Sequence, residues 1–265
     1  MRDSFGREIS YLRVSVTDRC NLRCVYCMPA SGVELLRHED ILSYESIARV
    51  VRAAAELGFR KVRLTGGEPL ARKGLVDLVS LLAQIPGIRT LAMTTNGTML
   101  APVAEELRRR GLDSVNVSLD TLDPDRYRRL TRGGDLRDAL DGIRAAVAAG
   151  FPVKLNVVML EDTTDEEFRE IENFAAGLGA RVQTIARYSL VEEKMDGGEY
   201  DRPPPCSACN RLRLLANGTL RPCLHGSIGI PVDFSDLRGS LERAILAKPE
   251  RGLVCEDLEV GQIGG

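Results

Sequence analysis

The sequence predicts an α/β fold, a parallel sheet wound into a partial (β/α)6 barrel, and three observations carry that reading. Strand-like and helix-like segments alternate through the first two-thirds of the chain. Glycines close most of the helical segments. Runs rich in Gly, Thr, Ser and Asn follow the strands, and in parallel α/β folds chemistry collects at the carboxyl ends of strands.

Taken in order, residues 11–16 read as a strand that runs into a loop holding three cysteines. Residues 44–57 have helical periodicity and stop at Gly58. A strand over 61–65 ends in Gly66-Gly67-Glu68-Pro69, and a helix over 75–84 is stopped by Pro86-Gly87. A strand over 89–93 ends in Thr94-Thr95-Asn96-Gly97, and the helix over 103–110 stops at Gly111. The strand over 114–119 runs into a turn-rich stretch at 120–125. A helix over 136–149, a strand over 153–159, a helix over 165–178 and a strand over 181–186 complete the series. Right-handed crossovers make such a sheet parallel. A closed eight-unit barrel needs two more units, so a partial, TIM-like barrel of six strands is expected.

The pattern breaks near residue 188. Gly197-Gly198 and Pro203-Pro204-Pro205 mark a linker. Two regions follow: a barrel over 1–188, and a linker plus small C-terminal region over 189–265. So few residues bury little apolar surface, and the second region is expected to owe its order to a metal site. Asn217-Gly218 predicts a hairpin that folds 212–216 onto 219–221.

The chain has 265 residues, with 36 basic and 38 acidic side chains and a net charge of −2. That balance argues against non-specific nucleic-acid binding, while local basic clusters could still hold an anion. Seven cysteines without a signal peptide point to a reducing, cytoplasmic setting in which thiols serve metals or catalysis. No apolar run is long enough to cross a membrane.

Six of the cysteines form two groups. Cys20, Cys24 and Cys27 are separated by three and then two residues, and Tyr26 precedes the last of them. Three thiolates suit an iron–sulfur cluster that leaves one iron open, because a [4Fe–4S] cluster normally takes four ligands. Cys206, Cys209 and Cys223 form the second group. From spacing alone, zinc competes for this set, with His225 or Cys255 as a fourth ligand.

The first triplet resembles the radical S-adenosylmethionine superfamily, in which the open iron binds S-adenosylmethionine and one-electron cleavage yields a radical that abstracts hydrogen. The neighbourhoods narrow the resemblance. Leu12-Arg13-Val14-Ser15-Val16-Thr17-Asp18-Arg19-Cys20, Val62-Arg63-Leu64-Thr65-Gly66-Gly67-Glu68-Pro69-Leu70, Met93-Thr94-Thr95-Asn96-Gly97 and Val115-Asn116-Val117-Ser118-Leu119-Asp120 look like the GTP 3′,8-cyclase (MoaA) family. So do Cys206-Ser-Ala-Cys209-Asn-Arg211-Leu-Arg213-Leu, Asn217-Gly-Thr-Leu-Arg-Pro-Cys223-Leu and the terminal Gly264-Gly265.

The resemblance implies two [4Fe–4S] clusters and S-adenosylmethionine as cofactors. Cys20, Cys24 and Cys27 would hold the first cluster, and Cys206, Cys209 and Cys223 the second, whose open iron meets guanine in the family. Tyr26 would flank the cofactor. Gly66, Gly67 and Glu68 would accept its amino group, and Thr95, Asn96 and Ser118 would contact its carboxylate and ribose. Arg13, Lys61 and Lys154 would face the triphosphate of GTP. Arg211 and Arg213 would serve substrate binding and catalysis beside the second cluster, and the tail glycines would thread into the site.

A flavodoxin-like electron donor and a downstream enzyme of molybdenum cofactor biosynthesis would be the partners, and the resemblance leaves room for a homodimer. The chain departs from the family in three places. Gln183 stands where the family has an arginine, Tyr188 where it has a methionine, and the segment before the second cysteine group is short. Two other readings stay open on the sequence. One is a radical enzyme acting on a peptide or another small molecule, and the other is a non-catalytic iron–sulfur or zinc protein.

Overall fold

The computed structural model describes residues 1–187, 189, 190, 192, 194, 196 and 199–255. Six strands follow one another along the chain: β1 (Tyr11–Ser15), β2 (Lys61–Thr65), β3 (Thr90–Thr95), β4 (Ser114–Ser118), β5 (Val153–Met159) and β6 (Arg181–Ala186). Helices α1 (Tyr44–Glu56), α2 (Leu75–Ala83), α3 (Ala104–Arg109), α4 (Pro124–Thr131), α5 (Leu136–Ala148) and α6 (Asp165–Gly177) carry the chain between them. The remaining elements are β7 (Arg211–Leu214), β8 (Thr219–Arg221), β9 (Ile230–Pro231) and α7 (Leu237–Leu246).

All nine strands join one sheet in the order β6-β5-β4-β3-β2-β1-β7-β8-β9. Pairing is parallel from β6 to β1, and β7 pairs in parallel with the other side of β1. Among the described strands, only the β7–β8 and β8–β9 pairs are antiparallel.

Two faces of this sheet differ in kind. Successive side chains of a strand point to opposite faces. Leu12, Val14, Val62, Leu64, Val115, Val117, Leu155, Val157, Leu212 and Leu214 take one face and are buried beneath the helices. The helices answer with their own apolar stripes, such as Ile47, Val50, Val51 and Ala54 of α1. Each such Val, Leu or Ile side chain, fully buried, contributes about 1.5–3 kcal/mol. The opposite face carries the intervening polar residues and lines the barrel's hollow. Three of these helices, α1, α5 and α6, start on side-chain caps of Ser, Asp or Thr: Ser43 accepts from Ser46 N, Asp135 from Arg137 N and Thr164 from Glu167 N.

Two expectations are corrected. The stretch at 120–125 is only partly turn. Asp123 caps Arg126 N, and Pro124 opens α4 at the position where a missing N–H does no harm. The C-terminal region buries more apolar surface than its length suggests. Leu212, Leu214, Leu220, Leu241, Ala244 and Ile245 belong to the same apolar core as the barrel. The Asn217-Gly218 hairpin forms as expected, with Gly218 at φ +83°. Arg7 ties the chain start to this region by donating to the carbonyls of Cys206 (2.9 Å), Pro249 (2.6 Å) and Glu250 (3.0 Å). Tyr188 and the Gly264-Gly265 tail lie outside the described residues.

Candidate active site

The polar face of the sheet forms one cavity. Its register lines up cations across three strands. Tyr11 of β1 stands opposite Lys61 of β2 and Arg211 of β7, and Arg13 stands opposite Arg63 and Arg213. Two rungs result, each crossing β2, β1 and β7. On the far side, Asn116 of β4 is level with Lys154 of β5, and Ser118 with Asn156, which is level in turn with Gln183 of β6. All of these residues line the cavity.

The cations act on one another and on Tyr11. Burial alone would raise the Tyr11 phenol, yet Arg13, Arg63, Lys61 and Arg211 together pull it down to about 7. Arg63 Nε donates to the Tyr11 hydroxyl at 2.8 Å, and its Nη1 reaches the Met93 carbonyl at 3.0 Å. Lys61 lies over the Tyr11 ring, 4.9 Å from its centre. Burial, then Arg202 and Arg13, lower Arg211 to about 10. So many cations facing one hollow is a costly arrangement for an empty pocket and a fitting one for a polyanion.

The first cysteine triplet closes one end. Cys20, Cys24 and Cys27 line the same cavity as the cation rungs. Burial pushes Cys20 up to about 11, against hydrogen bonds from Leu22 N and Asn96 Nδ2. Cys27 donates to Cys24, which raises the first thiol and lowers the second. Three thiolates this close raise one another, and a bound cationic iron core would offset that repulsion. Among the described residues, no three His, Cys, Asp or Glu side chains are gathered tightly enough for a single metal ion. A four-iron cube spreads its ligands over separate corners. Three thiols on one wall of the cavity supply the donors such a cluster takes, with one iron left open.

Gly66, Gly67, Thr95, Asn96, Ser118 and Tyr26 also face this end of the cavity. A Cβ on Gly66 would meet Thr17 O at 2.5 Å, and one on Gly67 would meet the Arg19 carbonyl carbon at 2.6 Å. Only glycines let the β2 loop lie against the loop that carries Cys20. The Tyr26 hydroxyl donates to Asp120, which also accepts from Val158 N at 2.8 Å.

Glu68 is held between the two loops. It is fully buried and does not line the cavity. One carboxylate oxygen accepts from Leu70 N (3.0 Å) and Thr95 Oγ1 (2.7 Å), and the other from Asn96 N (2.7 Å). It clamps the β3 loop to the β2 loop and so positions Thr95 and Asn96.

The second triplet gathers beyond the other end of β7. Cys206 is buried, and its Sγ accepts from Lys194 Nζ at 3.2 Å and Gly252 N at 3.5 Å. Lys248, also buried, donates to the carbonyls of Arg211 and Pro222. Cys209 is lowered because Lys248 and the Arg211 N–H outweigh its burial. Cys223 is raised by burial. A Cβ on Gly252 would stand 3.1 Å from Cys223 Sγ and 2.8 Å from His225 Cβ. Lysines around three thiols offset the negative charge that a thiolate-bound cluster brings. Cys255 packs instead with Leu190 and Leu215.

Comparison with known proteins adds a family. Residues 14–175 match the Radical SAM superfamily. The GTP 3′,8-cyclase of Moorella thermoacetica is 41% identical over an alignment covering 94% of each chain. That of Pelotomaculum thermopropionicum is 41% identical over 100% of each, and that of Petrotoga mobilis 38% over 94% of each.

The chain belongs to the GTP 3′,8-cyclase family.

Those alignments run to 302, 303 and 325 residues, longer than this chain, so the relatives carry residues that this member of the cyclase family lacks. Among solved structures, Streptococcus suis SuiB bound to S-adenosylmethionine superposes with a TM-score of 0.68 at 16% identity, over 87% of this chain and 64% of that one. anSMEcpe with bound AdoMet gives 0.65 at 12% identity, over 91% and 81%. At such identities the likeness concerns the fold alone. The family's cofactors are S-adenosylmethionine and [4Fe–4S] clusters, and both triplets fit them.

Cavity residues not singled out in the sequence include Arg63, Asn116, Asn156 and Arg202. Strand alternation could have found the first three. Arg63 lies two residues from Lys61, Asn116 two from Ser118, and Asn156 two from Lys154. Arg202 lies in the linker, where no period applies.

Proposed function

We propose that this chain converts GTP to (8S)-3′,8-cyclo-7,8-dihydroguanosine 5′-triphosphate, the first step of molybdenum cofactor biosynthesis. One observation carries the reading: the cysteine triplet and the two cation rungs share a single cavity. S-adenosylmethionine on the first cluster supplies hydrogen-atom abstraction when both are bound.

The chain's own residues hold and orient. Gly66 and Gly67, packed against the Cys20 loop, present backbone carbonyls to the cofactor's amino group, while Thr95, Asn96 and Ser118 offer hydrogen bonds to its carboxylate and ribose. Tyr26, fixed by Asp120, flanks it. Arg13, Lys61, Arg63 and Lys154 offset the triphosphate charge. Arg211 and Arg213 lie on the strand that starts two residues after Cys209, so they connect the nucleotide pocket to the second thiol set, where guanine would meet the open iron. Fixing the ribose between these two ends sets the reacting carbons against each other.

A flavodoxin-like donor, a downstream pathway enzyme, a homodimer and a cytoplasmic location complete the proposal. None of the described helices is long and apolar enough to cross a membrane.

The test is anaerobic reconstitution with iron and sulfide, followed by S-adenosylmethionine, dithionite and GTP. GTP-dependent 5′-deoxyadenosine and an isomer of GTP, read by mass spectrometry, are expected. Cofactor cleavage indifferent to GTP would assign another substrate.

A further inference from the structure

On the β6 side the cation rungs thin out, since Arg187, just past that strand, lines the cavity but pairs with Glu161 at 3.4 Å. Arg13, Lys61, Arg63, Arg211 and Arg213 come from β1, β2 and β7, and Lys154 from β5. The β6 residue level with Asn156 is Gln183, which carries no charge. The strap that follows β6 supplies a guanidinium at this place.

Arg202 lines the cavity, and a shallower recess beside it is formed by Lys154, Arg181, Val182, Gln183, Asp201 and Arg202. The strap is fixed to the open edge of β6. Ala186 N donates to the Arg202 carbonyl at 2.9 Å, and Ile185 and Arg202 form a parallel bridge. Asp201 accepts from Thr184 N at 2.9 Å and from Thr184 Oγ1 at 3.1 Å. The backbone at 201–202 therefore acts as a short added strand, and the side chain of Arg202 turns inward beside Gln183.

Its charge is felt across the hollow, since Arg202 is among the groups that depress Lys61, Arg63 and Arg211. No ion pair or side-chain hydrogen bond engages its guanidinium among the described residues, although it is half-buried. A guanidinium brought close to three other cations, without a carboxylate, awaits an anion.

We propose that Arg202 is a polyphosphate-binding residue of this enzyme: it binds the phosphate chain of the substrate, favouring a triphosphate over a monophosphate, and restores, from the shortened strap, the positive charge that Gln183 does not provide. The proposal rests on the cyclase reading for its substrate, a nucleoside triphosphate. Its chemistry, a bidentate guanidinium–phosphate contact, does not depend on the base.

The experiment uses the reconstituted enzyme and equilibrium binding of GTP, GMP and inorganic tripolyphosphate to wild type, Arg202→Ala, Arg202→Lys and the double variant Arg202→Ala/Gln183→Arg. A spectral change of the first cluster on adding S-adenosylmethionine confirms that each variant is folded.

Arg202→Ala is expected to weaken GTP and tripolyphosphate roughly ten- to hundredfold, the size of a lost charge-assisted contact, and GMP much less. Arg202→Lys should retain part of the affinity, and Gln183→Arg should recover most of it in the Ala background. Equal losses for GTP and GMP, or unchanged GTP binding by Arg202→Ala, would overturn the inference. Arg202-dependent binding of tripolyphosphate by a wild type that ignores GTP would overturn the substrate reading instead and leave the anion site standing.

Discussion

Replacing Gly67 by alanine tests how tightly the cofactor end of the cavity is built. The new Cβ would stand 2.6 Å from the Arg19 carbonyl carbon and 2.9 Å from Asp18 O, nearer than ordinary contact. All of these neighbours are backbone, so no side chain can swing aside. Reaching normal separation requires the two loops to part by about 1 Å. The Glu68 N to Arg19 O hydrogen bond, now 2.8 Å, would then exceed bonding range. Losing it costs about 1 kcal/mol, and overpacking adds about 1–3 kcal/mol. For a chain of this size, that sum lowers Tm by roughly 5–15 °C.

The functional consequence is direct, because Arg19 precedes Cys20 and a displaced Arg19 carbonyl carries the first thiol with it. Thermal unfolding of the reduced, metal-free chain measures the first effect, and the spectral response of the reconstituted cluster to S-adenosylmethionine measures the second. Gly177→Ala is the control. It lies in α6 with nothing within 4 Å of its Cβ, and alanine there should stabilise by about 0.5–1 kcal/mol. A Gly67→Ala protein that melts with wild type and responds fully to the cofactor would refute the reasoning, because it would show that the loop contact yields without cost.

Glu68, raised by burial to about 7, stabilises the fold fully below its unfolded value near 4.5 and loses that contribution as pH rises through 7, a span of about 3 kcal/mol. Glu68→Gln removes this titration but turns an amide NH2 toward Asn96 N, costing about 1–3 kcal/mol. Its stability deficit in denaturant titrations should shrink between pH 5 and pH 8.5, and a deficit that grows would sink the idea. Tyr11 has the opposite sign. Its depressed phenol adds stability that appears as pH climbs from about 7 toward 10 and is lost as pH falls through 7. Ultraviolet difference titration against Tyr11→Phe should show a midpoint near 7 that rises when GTP is added, and a midpoint indifferent to GTP would contradict a triphosphate beside this residue. Asp120→Asn should weaken S-adenosylmethionine binding about tenfold or more through Tyr26. Binding titrations should show no further loss on combining it with Tyr26→Phe, whereas additive losses would separate the two residues.

What the sequence made legible divides along a physical line. β2, β5 and β6 begin and end where their patterns say, and the other barrel elements shift by only one or two residues at their ends. Their strands are apolar on one face and stopped by chemistry-bearing loops, and their helices are stopped by glycines. The start of α4 was hidden because Asp123 and Pro124 serve a turn as well as a helix N-terminus, and only the cap on Arg126 N decides between them. α7 was hidden because its few apolar residues, Leu241, Ala244 and Ile245, make sense only against a core built elsewhere in the chain.

The site divides in the same way. In an in-register parallel sheet, one inward residue fixes the inward residues of its neighbours, so Lys61 implies Arg63 and Arg13 implies Arg213 once the pairing is known. Arg202 obeys no such rule. Its place is set by bonds between a linker and the edge of β6, from Ala186 N to its own carbonyl and from Thr184 to Asp201. The cavity-lining Arg202 thus sits in a segment whose sequence carries little structural signal. A shortened linker that reads as a loss of wall is, in three dimensions, the source of the cation on that wall.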